Sequence, residues 1–326
     1  MLQFLTSGES HGKCLLAILA GIGKGLFIDN QEINRDLARR QMGYGRGGRM
    51  TIEKDRVEIL SGVDNKGRTT GSPVTFRIPN RDFKIDTLPV VTRPRPGHAD
   101  LAGVLKYDRR DVRDILERAS ARETAARVAV GSVCKQLLRK RGVEILSHTL
   151  AIGGVEARRT PRNFRDLRSR AEKSPLRCAD PAAARKMVQK IDEAKKAGDT
   201  LGGIFEVRIM GISREILADR AFLARLTSGI MSIQAVKGVE MELISGLGSN
   251  QPQIFLRGAM KPLATLMKPL RSADIRSKKS VSAAVERSDV TAVPACGVVA
   301  EAMAAFVTSK YCIERFVGGN LCQTFL

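Results

Sequence analysis

The stretch VEILSGVDNKGRTTGSPVTFRI, residues 57–78, carries Val57 and Ile59 before a run of turn formers and Val74, Phe76 and Ile78 after it. Apolar residues at every second position put their side chains on one face of a strand. Between the two runs, DNKGRTTGSP supplies Gly67, Gly71 and Pro73, residues suited to reversing the chain. The pair reads as two antiparallel strands.

Reading outward, residues 29–42 form a helix: Asp29 and Glu32 make a capping-box pattern, Ile33, Leu37 and Met42 fall near one face, and the glycines of GYGRGGR end it. A long helix is expected from about Arg113 to Lys140, with a basic last turn and Gly142 as its stop. Asp180 before Pro181, and Gly198 after Ala197, bracket another helix. GGIFEVRI reads as a strand, residues from about Asp219 to Gln234 as a helix, QIFLRGAM as a strand, and Pro294 to about Phe306 as an Ala-rich buried helix. The order is mixed rather than regularly β-α-β, which predicts an α+β fold with antiparallel sheets, and no low-complexity linker divides the chain.

With 326 residues, 43% of them hydrophobic, the chain can bury a sizeable core. No run approaches eighteen uninterrupted apolar residues, and MLQFLTSGESHGK has no basic head followed by a long apolar segment; a soluble, cytoplasmic protein without a membrane partner is expected. Six cysteines are scattered without a C-x-x-C pair, resembling neither a zinc cluster nor a disulfide framework, and nothing points to a metal site. The 55 Lys and Arg against 34 Asp and Glu leave a net charge of +21, which calls for an anionic partner. Nucleic acid is one candidate, but with no Trp and three Tyr there are few platforms on which bases stack. Phosphorylated small molecules and acidic cofactors are the other.

Gly8-Glu9-Ser10-His11-Gly12 matches the nucleophile elbow G-x-S-x-G. An elbow needs a strand before it and a helix after, which LQFLT and CLLAILAGI weakly supply, but only nine residues precede Ser10, too few for the earlier loop that completes a hydrolase oxyanion hole. His11 in GESHG and His98 in RPGHAD sit in glycine loops where the backbone can approach a ligand, whereas His148 in VEILSHTL reads as structural. RRQMGYGRGGR carries Arg39, Arg40, Arg46 and Arg49 across a helix end and a glycine loop, a set of guanidinium forks suited to phosphate or carboxylate, with a solvated basic surface or a nucleic-acid segment as the competing reading. TRPRPGHAD adds Arg93 and Arg95; ERASARETAAR adds Arg118 and Arg122, four apart on one helical face that Glu117 and Glu123 would partly neutralise.

With GESHG, RRQMGYGRGGRM, RPGHADL, ERASARETAARVA, MSIQAVKGVE, MKPLATL and ERSDVTAVPA standing in this order, the sequence resembles the chorismate synthase family over residues 1 to about 310. The resemblance implies a β-α-β sandwich, with a helical layer between two antiparallel sheets, assembled as a homotetramer. It implies conversion of 5-enolpyruvylshikimate 3-phosphate into chorismate by anti 1,4-elimination of phosphate, with reduced FMN as cofactor; some members also reduce their flavin with NADPH. Carried over, His11 would be the proton donor beside the leaving phosphate, His98 would face the flavin pyrimidine ring, and Asp289 would manage the proton at flavin N5. Arg40, Arg46, Arg95, Arg122 and Arg287 match substrate-binding arginines. Arg118, Ala119, Ser120, Gln234, Ala235, Lys261, Pro262, Leu263, Ala264 and Thr265 match FMN contacts, with Arg287 again beside them.

The chain departs from the family pattern after VKGVEMELI, where only SGLGSNQP stands in place of a long glycine-rich region that forms part of the flavin cradle. The stretches between NRDF and VTRPRPG and around GISREILADR, and the tail after FVGGN, are also shorter or less regular. The expected organisation is one domain with several family loops shortened or left out.

Overall fold

The computed structural model describes residues 1–244 and 252–316. SGLGSNQP up to its last residue, the tail after Phe316 and Cys322 lie outside them. One sheet comprises β1 (Gln3–Ser7), β2 (Cys14–Ala20), β3 (Glu58–Ser61) and β4 (Val74–Pro79), in the order β1-β2-β4-β3, antiparallel throughout. The second comprises β5 (Glu144–Ile152), β6 (Val155–Glu156), β7 (Gly203–Met210), β8 (Val236–Ile244) and β9 (Gln253–Met260), in the order β6-β5-β7-β9-β8, again antiparallel. A small hairpin pairs β10 (Arg271–Ala273) with β11 (Ser280–Ser282). The helices are α1 (Asn30–Gln41), α2 (Arg49–Ile52), α3 (Asp100–Tyr107), α4 (Arg113–Ala119), α5 (Thr124–Arg139), α6 (Phe164–Lys173), α7 (Pro181–Lys196), α8 (Arg214–Ala218), α9 (Arg220–Met231) and α10 (Val293–Phe316).

The sandwich is as expected. Alternation makes Leu15, Ala17 and Leu19 of β2 and Val74, Phe76 and Ile78 of β4 one apolar face, and α5 lies on it. The corresponding face of the second sheet, Phe205, Val207 and Ile209 with Ile254 and Leu256, takes α10. The two helices then pack on each other, closely enough that a Cβ added at Gly131 of α5 would land inside Ala302 of α10. Small residues at this crossing bring both sheets onto one core. α10 is long and apolar enough to cross a bilayer, yet its apolar surface is spent on this packing and it lies buried.

Several local readings stand and others change. Asp29 caps α1 through the Gln31 N–H, but the capping box is only half made: Gln136 Oε1 takes the Asp29 N–H at 2.8 Å, while Glu32 pairs with Arg139. α7 runs from Pro181 behind its Asp180 cap to Lys196, with Gly198 at φ 67°. CLLAILA is a strand, not the helix an elbow requires; a short apolar run buried on one face carries no period that separates the two. The helix expected from 113 to 140 is two, broken at Ser120, whose ψ of 141° is extended. The helix expected to reach Gln234 stops at Met231, and Asp219 stands outside it as its cap; α10 continues ten residues beyond Phe306.

One charged cluster is sealed within the helical layer. Glu301 of α10 receives Arg39 from α1 on both oxygens, at 2.7 and 2.8 Å, with Lys135 of α5 at 3.2 Å, Arg177 at 3.2 Å and the Ser147 N–H and hydroxyl at 2.7 Å. Burial by itself would raise the Glu301 carboxyl; the charges of Arg39 and Lys135 outweigh it and hold it well below the usual range. A depressed folded-state pKa gives stability that is complete above the unfolded value near ~4.3 and is lost as pH falls. Glu301→Gln should cost about 3–5 kcal/mol by leaving three cations short of a partner, and its urea midpoint should depend less steeply on pH between about 5 and 3 than the parent's.

Candidate active site

The loop GESHG joins β1 to β2, and Gly8 at φ 103° turns the chain there. Ser10 is therefore flanked by two strands, and the hydrolase elbow is not formed. Its hydroxyl accepts from Arg49 Nη1 at 2.6 Å and from Ser120 at 3.2 Å; its carbonyl accepts from Arg49 Nη2 and Asn80. His11 Nδ1 lies 3.0 and 3.1 Å from the two oxygens of buried Glu117, and its Nε2 faces Asp82 Oδ2 at 3.6 Å and Arg49 Nη1 at 3.5 Å.

Behind this loop stand the arginines. Asp55 accepts from Arg40 Nη2 at 2.9 Å on one oxygen and from Arg122 Nη1 at 2.6 Å on the other, with all three residues buried. Burial would raise the Asp55 carboxyl, but the two guanidinium charges win and lower it. Burial also lowers Arg40, and the neighbouring charges of Arg122 and Arg46 act the same way. Arg49 is lowered by burial and by Arg122, against the pull of Glu53 at 3.2 Å. Buried guanidinium nitrogens are left without hydrogen-bond partners: Arg40 Nε, Arg49 Nε and Arg122 Nη2. Such donors are costly to bury unless an acceptor meets them.

The break at Ser120 makes this arrangement. In a continuous helix Arg118 and Arg122 would share a face; here Ser120 accepts the Arg122 N–H at 3.3 Å, Arg122 turns inward to Asp55, and Arg118 stays exposed, bonded to the Thr6 carbonyl and hydroxyl at 3.0 and 2.9 Å. The glycine loop is held by the ERSDV segment. Asp289 accepts the Gly47 N–H at 2.6 Å and pairs with Arg46 Nε at 3.2 Å, and the Val290 N–H donates to Gly45 at 2.7 Å. A side chain at Gly47 would press on the Ser288 carbonyl at 2.8 Å, so only glycine allows the two segments to lie this close. Arg287 is exposed and reaches Asp82 at 3.5 Å.

A second group lies in neighbouring loops. Arg95, buried, donates to Asp100 through Nε at 2.8 Å and Nη2 at 3.1 Å, and to Thr265 at 2.8 Å. His98 Nδ1 is 2.5 Å from Asp100 Oδ1, the oxygen that also accepts from Arg95 Nη2. Asp100 is buried, which opposes its charge, yet the His98 and Arg95 hydrogen bonds hold its carboxyl far below the ordinary range. Lys261 Nζ donates to the Gly97 carbonyl and its N–H to Ala235 at 2.9 Å, so the 95–98, 234–235 and 261–265 loops touch. Burial and the charge of Lys237 lower the Lys261 amine. Ala235 has φ 70°, and the Leu263 carbonyl accepts from Thr200; Pro262 is exposed and Ala264 half-buried beside Gly97. Gln234 reaches Glu123 at 3.4 Å and keeps its own Oε1 buried without a partner. Glu123 also binds Thr6 and Arg127 and donates its N–H to the Ser120 carbonyl at 3.3 Å, which ties this group to the residue that follows Ala119, the last of α4.

His148 lies buried in β5, its Nε2 3.0 Å from Glu206. Arg49 stood among the guanidinium forks of the glycine loop in the sequence but not among the residues carried over from the family; Glu117 was legible only as a neutraliser of its own helix face and Asp82 not at all, since their partner His11 is remote in sequence.

Two antiparallel sheets around a helical layer define an α+β fold, and in its β1–β2 loop the His11 imidazole stands 3.5 Å from Arg49, in front of the buried Arg40–Asp55–Arg122 group. A model of chorismate synthase matches residues 2–243 and 243–313, its two segments meeting just before SGLGSNQP. The chorismate synthase of Desulforamulus reducens is 45% identical over 371 aligned positions, covering 98% of this chain and 96% of the relative, and that of Alkaliphilus metalliredigens is 44% identical over 369, covering 98% and 97%. A crystal structure of chorismate synthase superposes with a TM-score of 0.74 at 36% identity, over 99% of this chain and 95% of that one. The chain belongs to the chorismate synthase family, carbon–oxygen lyases that act on a phosphate ester.

Replacing the carboxylate that two arginines share isolates the anion-binding property. Asp55→Asn should lower stability by about 3–5 kcal/mol, and inorganic phosphate should restore part of it, raising the thermal midpoint more in the variant than in the parent. Equal shifts would disconnect the arginines from anion binding.

Proposed function

We propose that this site converts 5-enolpyruvylshikimate 3-phosphate into chorismate, removing phosphate and a ring hydrogen on opposite faces, with reduced FMN bound beside the substrate. The observation that carries the reading is the set of buried guanidinium nitrogens of Arg40, Arg49 and Arg122 without a hydrogen-bond partner, with Arg49 itself 3.5 Å from His11 Nε2. The substrate brings one phosphate and two carboxylates. Each opposed charge at 4 Å gains ~4 kcal/mol at an effective dielectric near 20, before desolvation, so several cations are needed to hold it. Arg40, Arg46, Arg95, Arg122 and Arg287 bind the anionic groups, joined by Arg49. Negative charge on the phosphate grows as its bond to carbon breaks, and fixed guanidinium groups therefore favour the transition state over the bound substrate.

The proton transfers fall to the two loop histidines and Asp289. His11 gives a proton to the departing phosphate, and Asp289 exchanges a proton beside the flavin while holding Gly47 and Arg46 in place. His98, held by Asp100, would stand against the flavin and support its reduced anion. Reduced FMN, when bound, supplies electron density to the substrate as phosphate leaves and recovers it afterwards.

The residues present suit an anionic flavin. Lys261 and Lys237 are neighbouring cations, Gln234 Oε1 is an unused buried acceptor, and Arg118 is exposed at the end of α4. Together with Ala119, Ser120, Ala235, Pro262, Leu263, Ala264, Thr265 and Arg287 they form the proposed cradle. The chain acts as one domain in a cytoplasmic homotetramer, an assembly proposed from the family alone.

The test is an anaerobic assay with chemically reduced FMN and the enolpyruvyl substrate, following chorismate absorbance; no product from flavin-loaded protein overturns the reading. Within it, His11→Ala should cut turnover by roughly 10²-fold or more, and a near-normal rate removes His11 from the proton transfer. Arg46→Ala should act mainly on KM, and an unchanged KM counts against its part in holding the anion.

A further inference from the structure

The closest contacts of the His11 imidazole are all through Nδ1. Glu117, in the last turn of α4, receives the His11 backbone N–H at 2.8 Å on Oε2 and stands 3.0 and 3.1 Å from Nδ1, while its own carbonyl accepts the Ser10 N–H at 2.9 Å. Both backbone and ring of the GESHG loop are thus fastened to one residue of α4. Arg113, one turn earlier on α4, backs the same carboxylate at 3.2 Å.

Burial would raise the Glu117 carboxyl, but the His11 hydrogen bonds, the His11 charge and Arg113 leave it lowered, so it is ionised at neutral pH. An ionised carboxylate only accepts hydrogen bonds. Nδ1 must then carry its hydrogen whether the ring is neutral or charged, and the proton that comes and goes is the one on Nε2. That nitrogen is the end turned toward Asp82 and Arg49.

We infer that Glu117 is the positioning residue of His11: it fixes the ring through Nδ1 and reserves Nε2 for proton exchange with the anion bound among the arginines. This rests on the proton-donor reading of His11 given above. Glu117 and Asp82 favour the charged ring; Arg49 near Nε2, and Arg113 behind Glu117, oppose it. Lys84 and Arg287 draw on Asp82 and temper its effect.

With three histidines in the chain, ring nitrogens labelled with ¹⁵N can be assigned and titrated on the whole protein without flavin or substrate. In the parent, neutral His11 should carry its hydrogen on Nδ1 alone; a neutral ring protonated on Nε2 overturns the inference, and this readout needs no variant. Glu117→Gln keeps an acceptor for Nδ1 and removes the charge. It should lower the pH at which His11 titrates by about one unit or more, the size expected for loss of an adjacent opposite charge. An unshifted titration in folded Glu117→Gln also overturns it. In the flavin-loaded enzyme the same variant should lower kcat by about tenfold or more with little change in KM, part of the ~10²–10⁴-fold a placed acid contributes, and should move the acid limb of the kcat profile with the ring. A purely structural role would lower thermal stability without moving that limb. If His11→Ala keeps full turnover while the ring titration behaves as stated, the proton-donor reading fails and the Glu117–His11 link stands.

Discussion

Two guanidinium groups share one carboxylate at the centre of the site. Arg40 and Arg122 each take one oxygen of Asp55, and none of the three is exposed. Buried Glu53, 3.7 Å from Arg122 and 3.2 Å from Arg49, adds a second negative charge, but two carboxylates do not neutralise the three guanidinium groups of Arg40, Arg49 and Arg122, and the surplus stays in a region where water does little to screen it. The fold accepts this because Arg40, Asp55 and Arg122 come from separate supports: the end of α1, the segment before β3, and the turn leading into α5. Each support is anchored by packing elsewhere, so the cations remain together without relaxing apart. An anion entering among them meets donors already in position.

The same division of labour separates neighbours in sequence. Arg39 points into the sealed Glu301 cluster, where it bonds α1 to α10, and Arg40 points into the site. In a helix, consecutive residues are about 100° apart, so one turn of α1 serves the core with one arginine and the proposed anion site with the next. Around Glu301 the three cations Arg39, Lys135 and Arg177 meet three carboxylates, Glu301, Asp36 and Glu172, whereas Asp55 and Glu53 face the three arginines Arg40, Arg49 and Arg122 with two. Structural charge and functional charge differ here in whether the count balances.

Much of the fold was legible because its punctuation is local. Asp29, Asp180 and Gly198 mark helix ends by chemistry that needs no tertiary partner, and the alternation in VTFRI declares its buried face. CLLAILA could not be assigned that way, since a short apolar run fits strand and helix equally. Nor was the break at Ser120 legible, because no glycine or proline stands within ten residues of it and the stop depends on Ser10 and Asp55 brought from elsewhere. The site arginines and loop histidines stood out as residue types in glycine-rich settings. Glu117 did not, because its meaning lies in a contact spanning 106 positions.

The break at Ser120 has an electrostatic corollary. It ends one helix and starts another, so α5 begins beside Arg40, whose Nη1 is 3.4 Å from the Thr124 hydroxyl. The sixteen residues of α5 carry a macrodipole with its positive pole at that end, roughly half an elementary charge. An unbroken helix from 113 would have moved that pole three turns away. The pocket thus gains attraction for an anion from peptide groups that do not titrate, a component of its field that persists across the pH range.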